Sequence, residues 1–299
     1  MLKSPITGSE NISKEIELDI QKIKELYADL NVDVSVFFKN YTSISIYQCN
    51  DSGYRFYYPF DIMGDDHFYE QLSFENEDYY PEKKWEFIKA ISAIRKDDTL
   101  LEVGCGNGYF LDLCKKKNIA ATGLEINQKS IANCTKKGLN VLSEYVQEHA
   151  IKNAEKYDIV CSFQVLEHIV DVDDFIKACM QCLKPGGKLI YAIPNSNPYL
   201  FRYDIYHTLN LPPHHAGLWN KKALHNLKKY YPLNVCSIET EPVIVHYKKW
   251  WDVHLNHLRE KRNFWYRILK LIPRIVYKRL VQISNAEGAY ILAIYEKKK

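Results

Sequence analysis

The sequence predicts a doubly wound α/β protein built around a parallel sheet, and three observations carry that prediction. Apolar runs of strand length alternate with helical stretches from residue 99 to residue 193. A glycine-rich segment, residues 104–108, stands where the first of those strands gives way to a helix. Lys184-Pro185-Gly186-Gly187 then breaks the last helix before another apolar run, since proline cannot continue a helix and glycine can reverse the chain. Strands alternating with helices of roughly 10–15 residues mean βαβ units and a parallel sheet.

Taken in order, Ile12, Ile16, Ile20, Ile23, Tyr27 and Leu30 recur at steps of three and four, the spacing of an amphipathic helix over residues 12–30. Two β-like runs follow, 43–47 and 54–58, separated by the turn signal Asp51-Ser52-Gly53, so a hairpin is expected. Residues 1–80 thus read as an appended N-terminal helix/hairpin module, and residues 81–299 as the main domain. Pro81 suits the first position of a helix, and Trp85, Ile88 and Ile91 give that helix an apolar stripe.

The main domain then predicts a strand at 99–103, a helix at 109–117, a strand at 120–124 and a helix at 128–137. A short strand at 140–142, a strand at 157–163, a helix at 171–183 and a strand at 188–193 complete the alternation. Strands at 233–238 and 289–295 raise the total to seven, with a helical insertion over 246–284 between them.

Composition narrows the function classes. The chain has 299 residues, 46% apolar and 26% charged, a soluble globular profile with ample length for a core. A net charge of +3 is too small to argue nucleic-acid binding from the total. No run of apolar residues reaches transmembrane length, and the N-terminus lacks the apolar stretch of a secretory signal. Eight scattered cysteines, several inside apolar runs, fit a reducing cytoplasm. Cys179 and Cys182 have CxxC spacing, but without a second pair they read as two helical thiols one turn apart. His254 and His257 lack metalloprotease spacing, and no metal site is expected.

The chemistry is concentrated in Leu100-Leu101-Glu102-Val103-Gly104-Cys105-Gly106-Asn107-Gly108. A glycine loop between strand and helix lets backbone approach a ligand and offers free helix N–H groups. Its register is not that of a dinucleotide loop, which needs G-x-G-x-x-G: positions 109 and 111 are Tyr and Leu. The pattern is E-x-G-x-G-x-G, and an acid before the first glycine suits a ligand with positive charge. Glu125, followed by Ile126, ends the second strand 21 residues after Gly104, where a carboxylate can accept both ribose hydroxyls. The competing reading of Glu125 is a solvated acid at a helix start; the loop and strand order favour ribose.

With these motifs in place, the chain resembles the class I S-adenosylmethionine-dependent methyltransferases, whose fold is a Rossmann-like seven-stranded sheet. Glu102 to Gly108 matches their first motif and Glu125 their ribose-binding acid. The fourth-strand motif is matched by Tyr157-Asp158-Ile159-Val160 through Gln164-Val165-Leu166-Glu167-His168. The turn before strand five is matched by Leu183-Lys184-Pro185-Gly186-Gly187. The resemblance implies S-adenosyl-L-methionine as cofactor, with Glu102, Gly104, Cys105, Gly106, Asn107, Gly108, Glu125, Ile126, Phe163 and Gln164 forming its site. An adenine-binding acid after strand three is not assigned, because Ser143-Glu144-Tyr145-Val146-Gln147 is ambiguous.

Three further pieces resemble a subgroup found among sugar and surface-polysaccharide biosynthesis enzymes. They are Ser4 to Ser9 with Tyr47-Gln48-Cys49, the stretch Gly64 to Leu72, and Pro212-Pro213-His214-His215 with Trp219. Some relatives carry an N-terminal zinc site of two CxxC pairs; here Ser4, Thr7, Cys49 and Ser52 stand at those positions, leaving one thiol. The implied acceptor is a small molecule, a sugar or glycan precursor, nucleotide- or lipid-linked. The alternatives are O-methylation of a quinone or phenol, and a non-catalytic donor-binding module.

A hydroxyl acceptor benefits from a base. His214 and His215, on a loop restricted by two prolines, are the candidates, the other reading being that they cap a helix or pack on Trp219. His168 is expected to orient the loop near the cofactor. The insertion carries ten Lys/Arg against Asp252 and Glu260 over residues 247–280, interleaved with aromatics. It reads first as a lid with a solvated charged face, and alternatively as a contact with an anionic membrane or a phosphate-bearing ligand.

Overall fold

The computed structural model describes residues 2–65, 68–69, 71–72, 84–196, 205–207, 210–284 and 286–299; Pro81 lies outside them. The chain begins with β1 (Ile12–Asp19), α1 (Ile20–Ala28), β2 (Ser43–Cys49) and β3 (Arg55–Tyr58). The helix expected over residues 12–30 is therefore half strand. A step of four satisfies a helical period, but it is also twice the strand period; a bulge between Lys14 and Ile16 then puts Ile16 and Leu18 on one sheet face with Ile44 and Ile46, and Ile12 on the other with Tyr47. Pairing decides the matter: β1 runs antiparallel to β2 from Ile12 opposite Cys49 to Asp19 opposite Ser43. The helix starts at Asp19, whose Oδ1 accepts from Gln21 N at 2.8 Å. Only then does the helical spacing hold, burying Ile20, Ile23 and Tyr27.

After α2 (Trp85–Ser92) come β4 (Thr99–Val103), α3 (Tyr109–Lys116), β5 (Ala120–Leu124), α4 (Gln128–Lys136) and β6 (Val141–Leu142). They are followed by α5 (Val146–Lys152), β7 (Tyr157–Phe163), α6 (Val172–Cys182) and β8 (Leu183–Pro194). The Lys184–Gly187 break is a bulge inside β8. The register with β7 jumps from Tyr157 opposite Leu183 to Ile159 opposite Lys188, and Gly186 takes φ +78° at the bend.

The remainder is β9 (Gly217–Leu218), α7 (Lys221–Asn226), β10 (Leu233–Thr240), α8 (Tyr247–Glu260), α9 (Trp265–Leu271), α10 (Arg274–Ile283) and β11 (Tyr290–Lys297).

The larger sheet has the order β10-β11-β8-β7-β4-β5-β6, and the smaller one β1-β2-β3-β9. β4, β5, β6, β7 and β8 run parallel to one another, while β11 runs antiparallel to both β8 and β10. This is the doubly wound, seven-stranded, Rossmann-like sheet the sequence predicts. Its central strands are apolar without alternation because helices cover both faces; along β7 every residue but Asp158 is buried.

Strand order reverses at β4, which pairs β5 on one side and β7 on the other. The crevice beyond the carboxyl ends of those strands is where such sheets bind ligands. One apolar core joins Ile6, Tyr54 and Phe56 of the N-terminal segment to Tyr191, Trp219 and Tyr295. Residues of α8, α9 and α10 form a separate cluster around Trp250, Trp251, Leu258 and Tyr277.

Candidate active site

The glycine loop leaves β4 and is tied at once to β5: Gly104 N and Cys105 N both donate to Leu124 O, at 2.9 and 3.0 Å. Gly104, Gly106 and Gly108 take φ of +73°, +51° and +72°, values that disfavour any side chain. Space is lacking too. A Cβ on Gly104 would lie 2.5 Å from Val165 Cγ2, and one on Gly108 2.6 Å from Leu139 Cδ1. The loop is thus bare backbone pressed between the segment after β7 and the segment after α4.

Glu125 closes this cradle. Its Oε2 accepts from Gly106 N at 2.8 Å, and its Oε1 from Ile126 N and Asn127 N at 2.8 and 2.9 Å. A carboxylate offers about four acceptor positions, so about one remains for a ribose hydroxyl while the loop is held. Ile126 stands exposed at the tip beside it.

Glu102 lies at the end of β4 with 2% exposure. Its Oε2 has no hydrogen-bond partner among the described residues, and burial, aided by the nearby Cys134 and Glu125, pushes its carboxyl well above the usual range. A buried carboxyl with an unpartnered oxygen beside bare backbone is the complement of a cationic ligand. The sulfonium and ammonium of S-adenosyl-L-methionine fit that demand.

The other expected cofactor residues divide. Gln164 follows β7 with φ +58°, an uncommon conformation for a side-chain-bearing residue that concentrates at functional sites; its Nε2 donates to Glu86 Oε1 at 3.4 Å. Asn107 points toward α4, where its Oδ1 accepts from Asn133 Nδ2 at 3.0 Å. Cys105 contributes backbone to the loop while its thiol packs inward with Leu111 and Cys134. The Phe163 ring packs in the core, 4.6 Å from Phe110 and 5.0 Å from Phe87.

Val165, which touches the glycine loop, leads through the turn Leu166–His168 to a cluster of imidazoles. The His214 and His215 rings stack at 4.4 Å between centroids, and His168 lies 4.7 and 4.8 Å from them. One ring nitrogen from each falls within 4.8 Å of the others, the one such group of three among the described residues. Backbone bonds fix the cluster: His214 N and His215 N donate to Leu211 O, and Ala216 N donates to Glu167 O. His168 Nδ1 lies 2.6 Å from His214 O, and Tyr69 donates its hydroxyl to the same carbonyl at 3.0 Å. Burial pulls His168 down to about 4 and His215 well below its ordinary range, the latter helped by the neighbouring imidazoles. Both are neutral near pH 7. The rings packed on His214 are Phe68, Tyr69, His168 and His215.

Three carboxyls that sequence reasoning did not single out lie on the same side. Glu86, Glu167 and Glu241 are each buried, and all three charges act on the Tyr290 hydroxyl, raised chiefly by burial to about 12. Burial lifts Glu167 to about 8 and Glu86 above its usual range. Among the described residues, Glu167 Oε2, Ser196 Oγ and Trp219 Nε1 are buried without a partner. Glu167 sits inside the fourth-strand motif, which was its only signal. Tyr69 lies in the quoted stretch 64–72, but nothing local marks its role. Glu86 and Glu241 read as ordinary charged residues until the fold buries them.

Comparison with known proteins fits this geometry. A methyltransferase-domain family model matches residues 67–238. The chain is similar to a ubiquinone biosynthesis O-methyltransferase of Escherichia coli O9:H4 (strain HS), 30% identical over 140 residues, covering 44% of this chain and 55% of that protein. It thus spans about half the length of that relative. The protein of the same name from Saccharophagus degradans is 26% identical over 186 residues, covering 55% of this chain and 77% of its own.

Among solved structures, a SAM-dependent methyltransferase from Archaeoglobus fulgidus aligns with TM-score 0.54 at 18% identity, covering 78% of this chain and 100% of that one. One from Thermotoga maritima, described as a possible histamine N-methyltransferase, aligns with TM-score 0.50 at 17% identity, covering 78% and 99%. These structures share the fold. The E-x-G-x-G-x-G loop, the acid after the second strand of the sheet and the family match together place the chain in the S-adenosylmethionine-dependent methyltransferase family.

Proposed function

We propose that the protein transfers a methyl group from S-adenosyl-L-methionine to a hydroxyl of a small polyhydroxylated acceptor, a sugar or glycan precursor, nucleotide- or lipid-linked. When bound, the donor supplies an activated methyl group. The chain's own work is to hold it, position the acceptor and take a proton. Glu102, the glycine loop, Glu125 and Gln164 hold the donor through backbone N–H groups and carboxyls.

His214 and His215 are the acceptor-side bases. They are buried, they sit on a loop pinned by Leu211 O, and the neutral state of His215 leaves it able to accept a proton. His168 and Tyr69 position them through the His214 carbonyl.

The observation that carries the acceptor reading is the polar wall. Glu86, Glu167 and Glu241 are buried there, and atoms of Glu167, Ser196 and Trp219 want partners. The Glu167 carboxyl, lifted by burial to about 8, is protonated near neutrality and can donate to an acceptor oxygen as well as accept from it. A polyol satisfies such a wall; an apolar ring leaves it unsatisfied. A second reading, methylation of a phenolic hydroxyl on a quinone precursor, is favoured by the names of the curated relatives.

Mass spectrometry separates the two readings. The protein is incubated with isotopically labelled donor and either a panel of nucleotide- and lipid-linked sugars or a panel of catechols and hydroxyquinones. Labelled methyl on a sugar supports the first reading. Labelled methyl on phenols alone replaces it with the second. Donor binding without any labelled product reduces the chain to a donor-binding module.

A further inference from the structure

We infer that α8, α9 and α10 form a docking surface for an anionic lipid bilayer. The inference goes beyond the acceptor reading and does not depend on it. Sequence alone favours a lid whose outer face is charged and solvated. Such a face keeps its apolar residues inward, and α8–α10 do bury Trp250, Trp251, Leu258, Leu269, Tyr277 and Val281 in their own small core. The outer face, however, is apolar as well. Phe264, Trp265, Leu271, Ile275, Leu280 and Ile283 are exposed by 69, 60, 83, 63, 47 and 80%. With Val245 and Val276, residues 245–283 hold eight of the sixteen exposed large apolar side chains in the described structure. Exposed apolar side chains concentrated in one short segment on this scale mark an interaction site.

Charge names the partner. Residues 247–280 carry ten Lys/Arg against two acids, a net +8, whereas the whole chain is +3, so the remainder is −5. Arg259, Lys261, Arg262, Arg267, Lys270, Arg274 and Arg279 are exposed along the same helices and their connections. Exposed aromatic and aliphatic side chains interspersed with Lys and Arg suit the boundary between headgroups and acyl chains. The negative potential of an anionic leaflet then attracts the +8 face and repels the rest, which orients the molecule. A symmetric pairing of two such faces would set +8 against +8.

Lys278 and Arg279 stand beside a groove lined by Ile244, Ile275 and Ile283, a seat for a phosphate headgroup with the start of its chain. The contact is peripheral, since no helix among the described residues is long and apolar enough to cross a membrane. The insertion is rooted next to the acceptor side, because His246 Nε2 lies 3.1 Å from Glu241 Oε2. Docking would therefore bring the acceptor wall close to the lipid surface.

The test is flotation of the full chain with phosphatidylcholine vesicles, with and without phosphatidylglycerol, at low and high salt. The protein is expected to float with the anionic vesicles only, and less at high salt. Reversing Arg267, Lys270 and Arg274 to Glu should weaken partitioning by roughly a hundredfold or more. Replacing Trp265, Leu271 and Ile283 by Ser should also lower it. All six sites are exposed, so melting temperature and binding of demethylated donor should hold in both variants and show that folding is intact. Tryptophan emission should shift to the blue on anionic vesicles, and the shift should shrink in Trp265→Phe. No flotation of the parent chain overturns the proposal. So does equal flotation by parent and variants. A parent that stays in solution as a dimer, and that the Ser variant makes monomeric, would reassign the face to a second copy of the chain.

Discussion

The two ends of the crevice are built in opposite ways. Apart from Gln164, the proposed donor end comes from one short stretch of chain: Glu102, the loop to Gly108, and Glu125 with the two residues after it all lie within residues 102–127, and hydrogen bonds among them finish the cradle. The proposed acceptor end draws Tyr69, Glu86, Glu167, His168, His214, His215 and Glu241 from five separate segments. Local construction makes a site that any member of a fold family can keep as a unit. Dispersed construction makes one that can change its substrate by changing loops.

The largest effect should come from the dispersed end. His215→Ala, and separately His214→Ala, are expected to lower turnover by about 10²–10⁴-fold, the usual range for a lost general base. Affinity for the demethylated donor, measured by calorimetry, should stay unchanged, because neither imidazole belongs to the glycine cradle. If donor affinity fell in step with turnover, the two ends would be one coupled unit and the comparison would fail. Unchanged turnover in both variants would remove these imidazoles from the reaction.

The local end should respond differently. In Glu125→Ala the N–H groups of Gly106, Ile126 and Asn127 lose a charged acceptor. Such bonds are worth about 1.5–3 kcal/mol each, so affinity for the demethylated donor should fall about 10–100-fold. Glu125→Gln keeps an acceptor oxygen and should retain part of that affinity. A Glu125→Ala protein that binds as the parent does would show that the carboxylate only caps the following turn.

Legibility follows the same division. The order of strands and helices from residue 99 to residue 194 could be read because each parallel strand is an unbroken apolar run and each crossover helix has its own period. The candidate donor cradle was legible as a unit because its residues are near neighbours in sequence with a spacing that chemistry constrains. β1 could not be read, since Ile12 and Ile16 satisfy both periods until β2 pairs with the segment. Glu86 and Glu241 could not be read either. A carboxyl gives no sign in sequence that the fold will enclose it, and what makes these two acids unusual is the burial they share with Glu167. Imidazoles 214 and 215 were visible as a pair, but their convergence with His168 and Tyr69 depends on contacts across 46 and 145 residues.

The smallest effect sharpens the comparison from outside the crevice. Asp158 stands near the start of β7, at the opposite edge of the sheet from both ligand ends. Its carboxylate accepts from Thr99 N and Oγ1 at 2.9 and 2.7 Å and from Lys184 Nζ at 2.8 Å, joining β4, β7 and β8. Burial alone would raise this carboxyl, but the bonds from Lys184 and Thr99 outweigh it and hold it at about 2, below its ordinary 3.8. A depressed carboxyl adds stability above its unfolded value and loses it as pH falls through the folded one, so the contribution should fade between about pH 4 and pH 2. The side chains of Asp158 and Lys184 are 30 and 42% exposed, and after solvent screening the contribution near neutrality is about 1 kcal/mol. Asp158→Asn should therefore lower the melting temperature by about 2–4 °C at pH 7, with the gap to the parent closing toward pH 2. Donor affinity and turnover should not move. A loss of either would mean that strand packing at the far edge sets the geometry of the crevice, and that neither end is built from its own contacts alone.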